Sequence, residues 1–343
     1  MRKLLNTLYV TTEDAYLSLQ GENIVVSVNK KEIGRFPLHG LQSIVSFSYS
    51  GASPALMGIC AEKGINLSFC NPNGRFLARC VGLSNGNVYL RREQYRIADD
   101  ELRSILIAKN MIFGKVYNSR WSLERTIRDH ALRVDIDKMN DSSTFLKTNL
   151  KNIFDSKELD ELRGFEGVCA SEYFSCFDMM ILRDKDAFNY TRRNRRPPLD
   201  RVNALLSFAY SLLTNDCTSA LESVGLDSYV GFMHVDRPGR KSLSLDMVEE
   251  LRPCIADRFV ITAINNRIVT VDDFETTESG AVFINDKGRK SFLKKWQEKK
   301  REQIMHPYLK ERIPWGLVPY VQAQLLSRYI RGDIDEYPPF LWK

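Results

Sequence analysis

The chain changes rhythm a little over a quarter of the way along. Up to about residue 96, apolar residues come in short runs at 8–10, 16–19, 24–28, 44–47, 65–69 and 76–81, set off by nearby Gly, Asn, Asp or Pro. Runs of that length between turn residues predict strands. Gly21-Glu22-Asn23 and Asn29-Lys30-Lys31 stand where hairpin turns are expected. Residues 54–63 predict one helix, with Pro54 in its first turn and Gly64 just past its end. From Asp99 onward apolar positions recur at helical spacing, beginning with a long segment through Ile105, Ile112, Val116, Trp121 and Leu132. The exception lies within 260–284, where 268–271 and 281–284 predict a small hairpin. The expected fold class is α+β: a β-sandwich-like domain over 1–96, followed by a mostly helical domain over 97–343.

Two acidic positions break the apolar pattern of the helical part. Wound at about 100° per residue, 159–177 brings Leu159, Leu162, Cys169, Ala170, Tyr173 and Phe177 within roughly 60° of Glu166. Asp160, Glu161, Ser171, Glu172 and Ser175 fall on the opposite face. Glu166 therefore occupies the centre of the stripe expected to be buried, where an unpaired carboxylate is costly. Gly164 and Gly167 flank it, which predicts the close approach of another backbone or a ligand. Two readings fit: a buried Glu paired with an Arg, or a metal-ligating or catalytic carboxylate. Periodicity does not separate them.

The second position lies in 244–257. Ser244 is expected to cap a helix that carries Asp246 in its first turn and Glu249 on the face of Leu245, Ala256 and Val260. Asp246 and Glu249 face the same way from neighbouring turns and repel each other unless a cation lies between them. Arg252 is the candidate partner. His234 ends an apolar, extended segment at 229–233, and Pro238-Gly239 turns the chain so that the next helix brings Asp246 and Glu249 towards it. A satisfied core histidine is the plainer alternative. Carboxylate, imidazole and carboxylate together make a donor set suited to Mg²⁺ or Mn²⁺. Such a site can activate a hydroxyl and stabilise charge on phosphorus during phosphodiester attack.

Composition narrows the class. With 343 residues, 43% hydrophobic and 27% charged, the chain can bury a sizeable core, which excludes a disordered or low-complexity protein, and its length suits two domains. Seven cysteines without a CxxC pair argue against a disulfide framework or a structural zinc site and fit a reducing cytoplasm. The first ten residues resemble a signal peptide only faintly, because Asn6 and Thr7 interrupt the apolar run and no small-residue cleavage site follows. No stretch reaches the roughly 20 apolar residues of a membrane span. The net charge of +6 is mild, but it is unevenly spread. Residues 191–196 hold Arg192, Arg193, Arg195 and Arg196 and no acid. Residues 287–301 hold Lys287, Arg289, Lys290, Lys294, Lys295, Lys299, Lys300 and Arg301 against Glu298 alone. Arg237, Arg240 and Lys241 flank His234. This pattern predicts a polyanion bound through its phosphates and shape rather than by a base code.

Four ordered motifs complete the picture: 163–174 (Arg-Gly-Phe-Glu-Gly-Val-Cys-Ala-Ser-Glu-Tyr-Phe), 192–210 from Arg192 to Tyr210, 231–240 (Gly-Phe-Met-His-Val-Asp-Arg-Pro-Gly-Arg) and 243–253 (Leu-Ser-Leu-Asp-Met-Val-Glu-Glu-Leu-Arg-Pro). Together they resemble the CRISPR-associated spacer-acquisition integrase, the family numbered first among the Cas proteins, over the whole chain. The resemblance implies a metal-dependent DNA endonuclease and integrase that inserts new spacer DNA into the CRISPR array. It implies Glu166, His234 and Glu249 as ligands of Mg²⁺ or Mn²⁺, with Asp246 assisting or replacing Glu249. It also implies the arginines of 192–196 as DNA contacts, a homodimer formed through the N-terminal domain, and assembly on duplex DNA with the small second CRISPR-associated subunit. A branched-DNA resolvase of repair, or a non-catalytic architectural protein whose carboxylates merely pair with arginines, are the alternatives.

Overall fold

The computed structural model describes residues 7–41, 43–71, 76–82 and 88–343. The first six residues, part of the faintly signal-like start, lie outside them. The N-terminal strands are β1 (Thr7–Val10), β2 (Tyr16–Gln20), β3 (Asn23–Val28), β4 (Lys31–Pro37), β5 (Ser43–Ser46), β6 (Asn66–Cys70) and β7 (Phe76–Arg79), with helix α1 (Pro54–Glu62) between β5 and β6. Strands β2, β3 and β4 form an antiparallel meander, while β1, β5, β6 and β7 form a mixed sheet in that order. The β3–β4 turn needs two left-handed residues, and Asn29 and Lys30 supply them with φ of 49° and 65°. Helix α1 starts as expected, its Ser53 hydroxyl accepting from the Leu56 amide at 3.3 Å. Both sheets and α1 bury one apolar cluster that includes Leu17, Ile24, Ile44, Leu56 and Leu67.

The rest is helical: α2 (Val88–Ala98), α3 (Glu101–His130), α4 (Ile136–Asp155), α5 (Leu159–Ser175), α6 (Arg201–Ser223), α7 (Ser242–Leu251) and α8 (Arg258–Asn265). A small hairpin, β8 (Phe274–Thr276) and β9 (Val282–Ile284), precedes α9 (Asp286–Arg301). A second, β10 (Gln303–Met305) and β11 (Arg312–Pro314), precedes α10 (Val318–Ile330). The 30-residue α3 is the axis against which α4, α5 and α7 pack. Strand-rich first, helical after: the α+β expectation holds. Helix α2 buries Leu90 and Ile97 in the helical core, and its Gln94 amide donates to the carbonyls of Asp227 and Val230, both at 2.8 Å. No described helix is long and apolar enough to cross a membrane, and all seven cysteines are free thiols.

Three local expectations need correction. The first strand of the predicted 268–284 hairpin sits later, at Phe274–Thr276, because Thr270 and Asp273 form a capping box that turns 271–273 into a helical turn. Ser244 does not cap α7; it is buried within its first turn, 2.9 Å from the Thr218 hydroxyl. Gly164 and Gly167 meet no neighbouring protein atom within 4 Å of where a Cβ would stand, so no other part of the described chain comes close there.

The C-terminal segment, which has no regular secondary structure, packs across the back of the helical core. Tyr337 donates to Glu250 at 2.5 Å, Gln322 bridges Glu250, Tyr337 and the Pro338 carbonyl, and Asn118 donates to the carbonyls of Glu250 and Phe340. His306 lies fully buried beside Gln322, its Nδ1 accepting from the Leu309 amide. Burial lowers the His306 pKa to about 4. Because the folded value is below the unfolded one, this histidine's contribution is complete above about pH 6.5 and is lost as pH falls towards 4. Denaturant unfolding at pH 7 and pH 4.5 is expected to show a smaller stability loss in His306→Gln than in the parent chain, by up to about 3 kcal/mol. An equal loss in both would refute this.

Candidate active site

The sequence singled out two helices and a loop, and the structure brings them together around a residue it did not single out. Lys115 on α3 is buried, and its ammonium lies between the carboxylates of Glu166 on α5 and Glu249 on α7. It hydrogen-bonds Glu166 and stands 2.6 Å from Glu249 Oε2. That oxygen is buried and accepts no aligned hydrogen bond, so the Lys115 contact is one of charge rather than of hydrogen-bond direction. The other oxygen of Glu249 pairs with Arg252 one turn on, as the sequence proposed. Burial acts to raise the Glu166 pKa, but the charge and hydrogen bond of Lys115, helped by Arg252 and His234, outweigh it and hold Glu166 below the usual range. Burial, then the like charge of Arg252, lowers Lys115 to about 8 against the pull of Glu166.

Arg252 is itself held from behind. Its guanidinium lies over the Tyr210 ring at 5.1 Å, Arg193 lies over the same ring at 5.3 Å, and the Tyr210 hydroxyl donates to buried Asp257 at 2.5 Å. Arg193 also donates to Asn203 at 2.6 Å and to Ser207 at 3.1 Å. Its place is therefore inside this network, and the expectation that it faces DNA is corrected: Arg192, Arg195 and Arg196 are the exposed members of their segment. Arg289 is corrected likewise, being buried and paired with Asp286 while Lys287, Lys290, Lys294, Lys295 and Arg301 face solvent on α9. The inward helix face of α9 has to be filled, and the aliphatic stems of long basic residues fill it. Lys300 points inward too, to Asp216 at 2.9 Å. Arg237 is exposed, whereas Arg240 and Lys241 are half-buried.

His234 is fixed by Asp246. The imidazole Nδ1 lies 2.5 Å from Asp246 Oδ1, and the same carboxylate accepts from the amides of Phe232, Met233 and His234 at 2.7, 3.1 and 3.1 Å. Gly231 permits this approach, since a Cβ there would lie 2.7 Å from Asp246 Oδ2. Both Asp246 oxygens are thus engaged in holding the 231–234 loop. With Nδ1 occupied, Nε2 is the His234 nitrogen left to meet a ligand. Asp246→Asn is expected to reduce metal affinity or turnover about 10–100-fold, the usual cost of losing an orienting partner. Unchanged turnover and metal titration in that variant would show that the loop holds itself.

Among the described residues, no three His, Cys, Asp or Glu side chains gather closely enough to hold a metal as they stand. The donors nevertheless fit a divalent cation. Two carboxylates already converge on one positive charge, one oxygen between them lacks a hydrogen bond, and the Nε2 of His234 has no hydrogen-bond partner among the described residues.

A family model described as CRISPR associated protein Cas1 matches residues 8–298, and the chain belongs to this family of CRISPR-associated endonucleases. It is 46% identical over 343 residues to CRISPR-associated endonuclease Cas1 1 of Chlorobaculum tepidum, with each chain covered completely. Its fold is also that of a casposase bound to integration product, with a TM-score of 0.81 at 23% identity over 99% of this chain and 94% of the other. The same holds for a chain of a Cas6-RT-Cas1–Cas2 complex, with a TM-score of 0.81 at 19% identity over all of this chain and 36% of the other.

Proposed function

We propose that this chain inserts new spacer DNA into a CRISPR array by attack of a 3′-hydroxyl on a repeat phosphodiester, and cuts DNA when water is the nucleophile. The observation that carries the reading is the convergence of Glu166 and Glu249, from separate helices, on a single cation, with His234 pinned by Asp246 at their side. Glu166, Glu249 and His234 Nε2 are the residues that would hold Mg²⁺ or Mn²⁺. When bound, such a cation lowers the pKa of a hydroxyl and offsets the charge that builds on the phosphoryl oxygens. The chain's own groups do the rest. Asp246 fixes the imidazole, Arg252 orients Glu249, and the charge of Lys115 holds Glu166 ionised until a divalent cation takes its place between the two carboxylates. One phosphodiester forms as another breaks, and the departing 3′-oxygen takes up the proton released by the attacking hydroxyl, so no nucleotide is consumed.

The exposed arginines at 192, 195, 196 and 237 and the outer lysines of α9 supply the phosphate contacts in this reading. Family membership extends the proposal to a cytoplasmic homodimer joined through the N-terminal sheets and assembled with the small second CRISPR-associated subunit. A strand-transfer assay with duplex DNA carrying free 3′-hydroxyls and a repeat-bearing target, run with Mg²⁺ or Mn²⁺ and the second subunit, tests it. Failure of the parent chain to join the two DNAs would sink the integrase reading. The pairing of Glu249 with Arg252 and of Glu166 with Lys115 is what a non-catalytic architectural protein would also show. That alternative predicts metal-independent DNA binding without strand transfer.

A further inference from the structure

Beyond the carboxylate cluster, the C-terminal turns of α3 and helix α8 line a cavity of about 190 Å³ that opens to solvent, with exposed Arg125, Asp129, His130 and Asn266 and half-buried Arg258 on its wall. It has room for several waters or one tetrahedral anion. Arg125 lies ten residues along α3 from Lys115, about 15 Å at the helical rise, so the cavity is separate from the metal-binding carboxylates. Neither of the two strongly basic segments contributes to it.

The charge arrangement inside is unusual for a structural pocket. Arg258 is half-buried, and among the described residues its guanidinium has neither a hydrogen bond nor an ion pair. The loss of solvent and the like charge of Arg125 both disfavour its charged form. The nearby Asp129 does not resolve this, because its carboxylate already accepts from Arg128 at 2.8 Å and pairs with Arg125 at 3.3 Å. Other polar groups on the wall are also engaged. Thr126 and Thr262 donate to carbonyls of their own helices, and Asn265 bonds the Leu182 amide and the Met180 carbonyl. Arg258, His130 and Asn266 are left as donors. A half-buried guanidinium without a partner among the described residues, on the wall of the same cavity as Arg125, suits an anion with several acceptor oxygens.

We propose that this cavity binds a phosphate group, with Arg258 as its bidentate donor and Arg125 as the second cation. The phosphate is a backbone phosphate of bound DNA or free inorganic phosphate; the DNA source rests on the function proposed above, and the free ion does not. Two measurements on the full-length chain separate them. In the first, thermal unfolding is followed with and without millimolar inorganic phosphate. In the second, anisotropy of fluorescein-labelled single-stranded DNA is titrated across KCl concentrations. The comparison is between the parent chain and Arg258→Gln, with Arg125→Gln and the charge-retaining Arg258→Lys alongside.

If the cavity holds a DNA phosphate, Arg258→Gln lowers the log–log salt slope of DNA binding by about 0.7. If it holds the free ion, phosphate raises the melting temperature of the parent chain and not that of Arg258→Gln. In either case Arg258→Gln melts no lower than the parent in phosphate-free buffer, since an unpaired charge has been removed. Equal salt slopes and equal phosphate responses in parent and Arg258→Gln would overturn the proposal. So would a lower melting temperature of Arg258→Gln without phosphate that Arg258→Lys restores, because Arg258 would then be serving the fold. Glu166→Gln leaves both binding readouts intact, so loss of strand transfer and loss of this site are told apart.

Discussion

Glu166→Gln and Glu249→Gln are each expected to lower DNA cleavage and strand transfer by about 10²–10³-fold. Each substitution keeps the side chain's shape but removes one of the two negative charges that converge on a cation between α5 and α7. The folded state should persist, because Glu166 is partly open to solvent and Arg252 remains stacked on Tyr210 behind Glu249. DNA affinity should also persist, since the exposed basic residues lie on other elements. The check is a single-turnover assay with Mg²⁺ or Mn²⁺, accompanied by DNA binding and thermal unfolding. Parent-like strand transfer in either variant would remove that carboxylate from the chemistry and favour the architectural alternative.

Removing Lys115 is expected to produce the largest stability effect in the helical domain. Lys115→Met leaves two carboxylates facing each other across the space the ammonium occupied, one of them buried. Breaking a buried ion pair by deleting one partner costs about 3–5 kcal/mol, and the partial exposure of Glu166 and the second partner of Glu249 place this site at the lower end. The loss should be specific to metal-free protein. A divalent cation binding the same carboxylates restores the missing charge, so Mg²⁺ or Mn²⁺ should raise the melting temperature of Lys115→Met more than that of the parent, where the cation competes with the ammonium. Equal metal-induced shifts in the two proteins would mean that Lys115 and the metal do not share a place.

Much of this site was legible from periodicity. Glu166 in an apolar stripe, Glu249 on the buried face of its helix, and a turn at Pro238-Gly239 folding His234 back towards that helix are all consequences of residue spacing, and the structure realises them. The same logic could have found Lys115, a lone cation in the apolar stretch from Met111 to Val116 of α3. It goes unnoticed because a lysine in a long helix is ordinarily a solvated residue whose stem lies along the surface. Charge runs misled in the opposite direction. Composition treats Arg193 and Arg289 as equivalents of their neighbours, whereas the periodicity of α9 turns Arg289 inward whatever its charge, and Asn203, Ser207 and Tyr210 on α6 draw Arg193 in from its loop.

The sequence by itself determined the order of a strand-rich and a helical domain, the turns at 21–23 and 29–31, and which carboxylates lie on buried faces. These follow from local rules of spacing, steric preference and burial that act within a few residues. Only the tertiary structure decided that Glu166 and Glu249 share one cation from a third helix, that Asp246 serves the His234 loop with both oxygens, and which arginines reach solvent. Those outcomes depend on contacts between residues 12 to more than 130 positions apart, where desolvation and Coulomb terms are set by which helices pack together, and no local pattern encodes that packing.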